Sequence, residues 1–332
     1  MDIALTLDYE LFLGSKTGSV DACLVDTLAR IRRAAPGVRM TLFVDAVYLL
    51  KLRELLSRGG NERLRTDYDK ICSHLKELVA DGHEVQLHVH PHWQRSEYDG
   101  MAWHADNEHY KLCDLSEDEA MAVFADAKKV LEEITGQRVI AFRAGGFSAQ
   151  PTELLTRLFD ATGISVDSSV YPGNFCDSKH QKYDYRTSCP KSVYRFGADI
   201  CEEDAEGSYT EVPLTTYNLS PLFYWRLAAL KILKLRRHRR LGDGLSVKTT
   251  GESIRERLLR GTQGFATIDE FKSSYLAKAY RKHKSSGAPV MCIIGHPKLA
   301  TEYSVKKLAE FCRLVKSQGD RFVTISEIAD RT

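Results

Sequence analysis

An α/β fold organised on a parallel sheet or barrel is what this sequence predicts, and three observations carry the prediction. Short β-rich runs alternate with helical segments, the helices carry start and stop signals, and 43% of the 332 residues are apolar, enough for a substantial buried core. The runs cover 3–8, 38–44, 84–89, 139–143, 164–168, 193–196, 211–214, 290–295 and 322–325. Between them, Ser116 with Glu119 forms a capping box ahead of a periodic stretch that Gly136 closes, and Pro151 opens a helix that Gly163 closes. Two segments break the rhythm. Residues 94–113 are polar and aromatic without a period, which predicts a long loop beside a strand end, where loops often line substrate sites. Residues 221–240, PLFYWRLAALKILKLRRHRR, mix a helical apolar stripe with seven Lys/Arg. The expected organisation is one catalytic domain, 1–332, with 221–240 as a basic amphipathic insertion.

Charge and cysteine usage exclude several function classes. With 47 Lys+Arg against 45 Asp+Glu the net charge is +2, so a chain that wraps nucleic acid is not expected, and no recognised binding motif accompanies the basic segment. The eight cysteines are scattered without a C-x-x-C pair and are expected as free thiols. Met1 leads straight into Asp2 without a basic, apolar leader, and no run approaches eighteen apolar residues. A soluble, cytoplasmic protein is the expectation.

The strongest chemical signal is GHEVQLHVHPHW. His88, His90 and His92 alternate at the end of an apolar run, so they can share one side of a strand, and Pro91 ends regular pairing so that His88 and His92 can converge. Imidazole is the commonest protein metal ligand, which makes a divalent ion the expected occupant. Two neutral imidazoles call for an anionic partner. The first run ends TLDYE, with Asp8 and Glu10 two residues apart; one carboxylate can bind the ion while the other takes a proton from water, and the residue types leave either division open. The last long run ends IIGHP, placing His296 at a strand end before a turn.

Taken in order, TLDYE (6–10), TLFV (41–44), GHEVQLHVHPH (82–92), FRAGG (142–146), VDSS (166–169), EVPL (211–214) and IIGHP (293–297) resemble the successive motifs of the polysaccharide deacetylase (NodB-homology) family. The resemblance implies a distorted (β/α) barrel with inserted loops and fewer than eight regular strands. It also implies a single divalent ion, usually zinc, and removal of an N-acetyl or O-acetyl group from a sugar. By the same resemblance Asp8 corresponds to the general base, His88 and His92 to the histidine ligands, His296 to the general acid and Arg143 to the arginine that orients the base. Asp167 corresponds to the acid that supports the catalytic histidine.

Three departures shape the expectation. Tyr9 separates Asp8 from Glu10, and Glu10 is assigned to the metal as in relatives with acid-x-acid spacing, the reverse assignment staying open. Arg143 is followed by Ala144, Gly145 and Gly146 in place of Pro-Pro-Tyr-Gly, so an oxyanion donor would be a backbone N–H of the Gly146 turn. His90 is additional to the usual pair; His90, Gly146 and Trp93 are expected to touch substrate or to support the ligands. The expected function is metal-dependent deacetylation of a cytoplasmic intermediate of surface polysaccharide or lipopolysaccharide synthesis. Hydrolysis of another amide bond and a catalytically silent glycan-binding barrel are the competing classes. The expected partners are an acetylated sugar or lipid-linked glycan. Segment 221–240 reads either as a surface helix with a solvated basic face or as a peripheral contact with the inner face of the membrane.

Overall fold

The computed structural model describes residues 1–11, 16–245 and 251–332. It divides into two compact units: Ala4–Tyr9 with Arg39–Pro213 and Val323–Thr332, and Met1–Ile3 with Glu10–Val38 and Leu214–Phe322.

The first unit is built on a sheet whose strands, β1 (Asp2–Tyr9), β2 (Thr41–Asp45), β3 (Glu84–Val89), β4 (Ala141–Ala144), β5 (Val166–Asp167), β6 (Tyr194–Phe196) and β7 (Tyr209–Glu211), follow the order β6-β7-β5-β4-β3-β2-β1. Every pairing along it is parallel except β6 with β7. Helices α1 (Ala46–Ser57), α2 (Glu62–Ala80), α3 (Glu117–Thr135) and α4 (Thr152–Thr162) supply the crossovers. Parallel strands covered on both faces read as unbroken apolar runs, which is why β2 and β3 are buried along their whole length. Helix α3 presents Ala120, Val123, Phe124, Ala127, Val130, Leu131 and Ile134 inward at helical spacing. Its Ser116–Glu119 capping box and Gly136 stop, in the left-handed conformation at φ 68°, are as the sequence predicts. In α4, Pro151 stands one position before the helix, as the capping residue, and Gly163 ends it at φ 71°.

The register brings a polar residue to the carboxyl end of nearly every strand. Asp8 pairs with Phe43, Asp45 with His88, His88 with Arg143, Phe142 with Asp167, and Asp167 with Glu211. In parallel α/β sheets this edge is where function gathers. The opposite edge is structural: the Glu84 carboxylate accepts the backbone N–H groups of Ile325 (3.0 Å) and Ser326 (3.2 Å), capping the short helix Ile325–Ala329.

The second unit contains β8 (Thr216–Leu219), α5 (Pro221–Leu233), β9 (Thr262–Phe265), α6 (Leu276–Ser285), β10 (Val290–Gly295) and α7 (Glu302–Ser317). Antiparallel β8 and β9 pair with each other, and the chain beyond β9 runs beside β10 through a parallel bridge between Thr267 and Ile294. Neither β8 nor β9 is anticipated by the apolar pattern. Segment 221–240 is not one helix: α5 ends at Leu233 because Lys234 adopts the left-handed conformation (φ 48°), and most of the basic cluster follows as irregular chain and a single turn at Arg236–His238. Among the described residues no helix is long and apolar enough to cross a membrane, and all eight cysteines are free thiols.

Candidate active site

In the first unit the site grows from Arg143. Its side chain is fully buried on β4, stacked over the Phe43 ring with the guanidinium carbon 4.1 Å from the centroid. Nη1 donates to Asp8 Oδ1 and to Thr6 Oγ1, each at 2.8 Å; Nε donates to the Ser168 carbonyl at 2.8 Å, and Nη2 to Ser168 Oγ at 2.9 Å. Such a planar fork fixes one carboxylate orientation, which a flexible ammonium could not. Tyr9, between the two acids, turns to the other face of β1, where its hydroxyl bonds His74 Nδ1 at 3.0 Å.

The backbone of Arg143 acts as well. Its carbonyl lies 2.7 Å from His88 Nδ1. A carbonyl only accepts, so Nδ1 carries the proton and Nε2 keeps the lone pair, the tautomer a metal-binding histidine needs. The turn that follows is pinned by Asp45, whose carboxylate accepts Trp93 Nε1–H at 2.7 Å and the His90 N–H at 3.4 Å. His90 and His92 are both buried, with ring centroids 5.2 Å apart, and the His88 and His90 rings lie 4.7 Å apart. A ligand nitrogen of His90 lies within 4.8 Å of one of His88, so His90 enters the ligand candidates beside His92. Tyr110, from the long irregular segment, stacks on His92 (4.9 Å, 9°) and meets His90 edge-on. Trp93 is fully buried against Tyr48, beneath the turn.

Gly145 and Gly146 are required for different reasons. A Cβ on Gly145 would stand 2.6 Å from both His90 Nδ1 and the Val89 carbonyl oxygen; Gly146 has φ 61°, which L residues rarely adopt. Gly145→Ala is therefore expected to displace the His90 ring and to cost about 1–3 kcal/mol, because the carbonyl on one side is backbone and cannot give. Urea midpoints of the two proteins check this.

In the second unit His296 closes β10. Asp269 grips it twice, Oδ2 accepting from Nδ1 and Oδ1 from the His296 N–H, both at 2.8 Å. Burial works to raise the Asp269 carboxyl, but the His296 charge and these two bonds outweigh it and hold the group below the usual carboxylate range. Glu10 Oε1 lies 3.0 Å from Lys298 Nζ and 3.7 Å from His296 Nε2.

This geometry corrects one expectation. The acid supporting His296 is Asp269, not Asp167. On β5 Asp167 accepts the Ser169 N–H at 2.7 Å and Ser169 Oγ–H at 2.9 Å, and it hydrogen-bonds Glu211 across the sheet. Burial pushes its carboxyl above the ordinary range, and those bonds only partly offset it. Two carboxyls this close are best held with one proton between them. Tyr110 belongs to the irregular segment 94–113 that the sequence places beside a strand end, whereas Asp45 and Lys298 were passed over. Asp45 closes the apolar run 41–44 and Lys298 follows IIGHP, which is the signal that could have found them.

No protein-family model matches the sequence, and neither does any curated protein. Solved structures do. The chain is similar to a "putative polysaccharide deacetylase" from Mycobacterium smegmatis at 14% identity, covering 99% of this chain and 89% of that one with a TM-score of 0.50. The chain has the polysaccharide-deacetylase fold, a distorted (β/α) barrel with inserted loops. It is also similar, at 12% identity and a TM-score of 0.53, to a 4-alpha-glucanotransferase from Thermococcus litoralis, covering 100% of this chain and 40% of that one. The deacetylase fold therefore leaves the chemistry to the site.

Proposed function

We propose that the chain is a metal-dependent hydrolase that removes an acetyl group from an N- or O-acetylated sugar. The observation that carries the reading is the double use of Arg143, whose guanidinium aims Asp8 while its carbonyl sets the His88 tautomer. The donor set suits a divalent cation of borderline softness, zinc being the expected one. His88 and Glu10, with either His90 or His92 as the second imidazole, would hold it, and when bound it would lower the pKa of water and polarise the acyl oxygen.

The chain's own residues do the rest. Asp8, oriented by Arg143, takes a proton from the attacking water as its oxygen bonds the acyl carbon. A backbone N–H of the Gly146 turn donates to the developing oxyanion. His296, aligned by Asp269, returns a proton to the sugar nitrogen or oxygen as the acyl bond breaks, giving acetate and a free amine or hydroxyl. Such an enzyme would suit intermediates of surface-glycan synthesis on the cytoplasmic side.

The test is release of acetate from a panel of acetylated sugars, with zinc supplied and with a chelator. Metal-dependent release supports the reading; absence of release with every sugar and metal overturns it. Metal binding divides the roles. By calorimetry, His88→Ala is expected to weaken zinc binding by about 100-fold or more, while Asp8→Asn keeps the metal. Release of zinc by Asp8→Asn with retention by Glu10→Gln would exchange the two carboxylates and leave the reaction class standing.

A further inference from the structure

Helix α5 is apolar on both of its sides, yet only one side is covered. Phe223 and Tyr224 are buried, with Phe223 stacked on Phe271 at 5.4 Å, and Leu227 and Leu230 are half-buried. Leu222, Trp225, Ile232 and Leu233 are 57%, 57%, 79% and 62% exposed. At 100° per residue these four, with exposed Ala229, fall within one arc of about 100° bounded by Arg226. A helix apolar all round is normally buried all round. An exposed apolar face of this kind calls for a covering surface.

The charge around it says what. From Thr216 to Gly242 the chain contains no acidic residue, and Arg226, Lys231, Lys234, Arg236, Arg237 and Arg239 are all exposed. Arg240 is paired with Glu270 at 2.5 Å. A second copy of the chain would bring like charges together across an apolar contact. An anionic bilayer answers both demands: Trp225 suits the headgroup level, Ile232 and Leu233 the acyl boundary, and the cations the lipid phosphates. Beneath the helix end lies a cavity of about 230 Å³, walled by Leu227, Leu230, Leu235 and Phe271, with Lys231, Lys234 and Arg239 at its edge beside Glu270, whose carboxylate is paired with Arg240.

We propose that the outer face of Pro221–Leu233, with the basic chain that follows it, docks the protein on the surface of an anionic phospholipid bilayer. The reading stands apart from the proposed catalytic function, since it uses none of those residues.

The experiment is co-sedimentation of the full chain with vesicles of phosphatidylcholine alone and of phosphatidylcholine with phosphatidylglycerol at 3:1, at low and raised salt, with Trp225 emission recorded beside a Trp225→Phe control. The expected result is binding to the anionic vesicles only, weakened by salt, with a blue shift that the control lacks. Replacing Lys231, Lys234, Arg236 and Arg237 by Gln should weaken binding by at least about 100-fold, at about fivefold per cation. Replacing Trp225, Ile232 and Leu233 by Ala should weaken it by at least about tenfold at any salt. All seven positions are exposed, and unchanged circular dichroism confirms the fold of each variant. Absence of binding to anionic vesicles, equal binding to neutral ones, or a dimer in sedimentation velocity that the Ala triple variant converts to monomer overturns the proposal.

Discussion

Arg143→Leu is expected to destabilise the protein by about 3–5 kcal/mol, among the largest effects available to a single substitution outside the apolar core. The side chain is fully buried and its partner Asp8 is 3% exposed, so removing the cation strands a carboxylate that water cannot reach. Leucine also withdraws donors from Thr6, the Ser168 carbonyl and Ser168 Oγ, and leaves the Phe43 face without its guanidinium. Arg143→Lys restores a charge but cannot span Thr6, Asp8 and Ser168 together, so it should recover only part of the loss. Urea unfolding of the single variants and of Asp8→Asn with Arg143→Leu forms a cycle. The double variant should fall short of the sum of the singles by about 1–3 kcal/mol. Strict additivity would show that the pair is not coupled and that Arg143 does not set the Asp8 geometry.

That coupling also shows why the first unit is the more legible half. Buried parallel strands are written as apolar runs, and a polar residue that interrupts one at its end, as Asp8, His88, Arg143 and Asp167 do, announces a position on the carboxyl edge of the sheet. Residue type and edge position can be read this way, but partners cannot. Nothing local distinguishes Asp167, which faces Glu211, from an acid facing a histidine. Asp269 was passed over because the segment before it, TQGFATI, carries Gly264 and little apolar alternation; its path beside β10 comes from tertiary pairing, the Ala266 N–H bonding the Thr215 carbonyl at 2.7 Å and the Ile294 N–H the Ala266 carbonyl at 3.0 Å. The end of α5 is likewise silent in sequence, since Lys234 rather than a glycine takes the left-handed stop. What the periodicity of 221–240 does reveal is the apolar and basic composition, and that is what the exposed face of α5 displays.

The two acids can be separated in one assay. Asp269→Asn is expected to lower kcat/KM for deacetylation by about 100-fold or more and to move the basic limb of its pH profile to lower pH, because an amide gives His296 no negative charge to favour its protonated form. Asn also offers a single accepting oxygen where Asp269 now receives two bonds from His296. The carboxyl is held below its ordinary value of 3.8, so it should stay ionised across the assay range, and the stability it contributes is lost only as pH falls through that lowered value. Asp167 has the opposite sign. Its raised carboxyl keeps a proton that the unfolded chain releases above 3.8, so its contribution declines as pH climbs toward the raised value. Asp167→Asn should leave the position of the kcat/KM profile unchanged, and its stability relative to the wild type should improve as pH climbs from 3.8 toward the raised value. A shifted profile in Asp167→Asn beside an unmoved one in Asp269→Asn would return the supporting role to Asp167 and refute the geometry at β10.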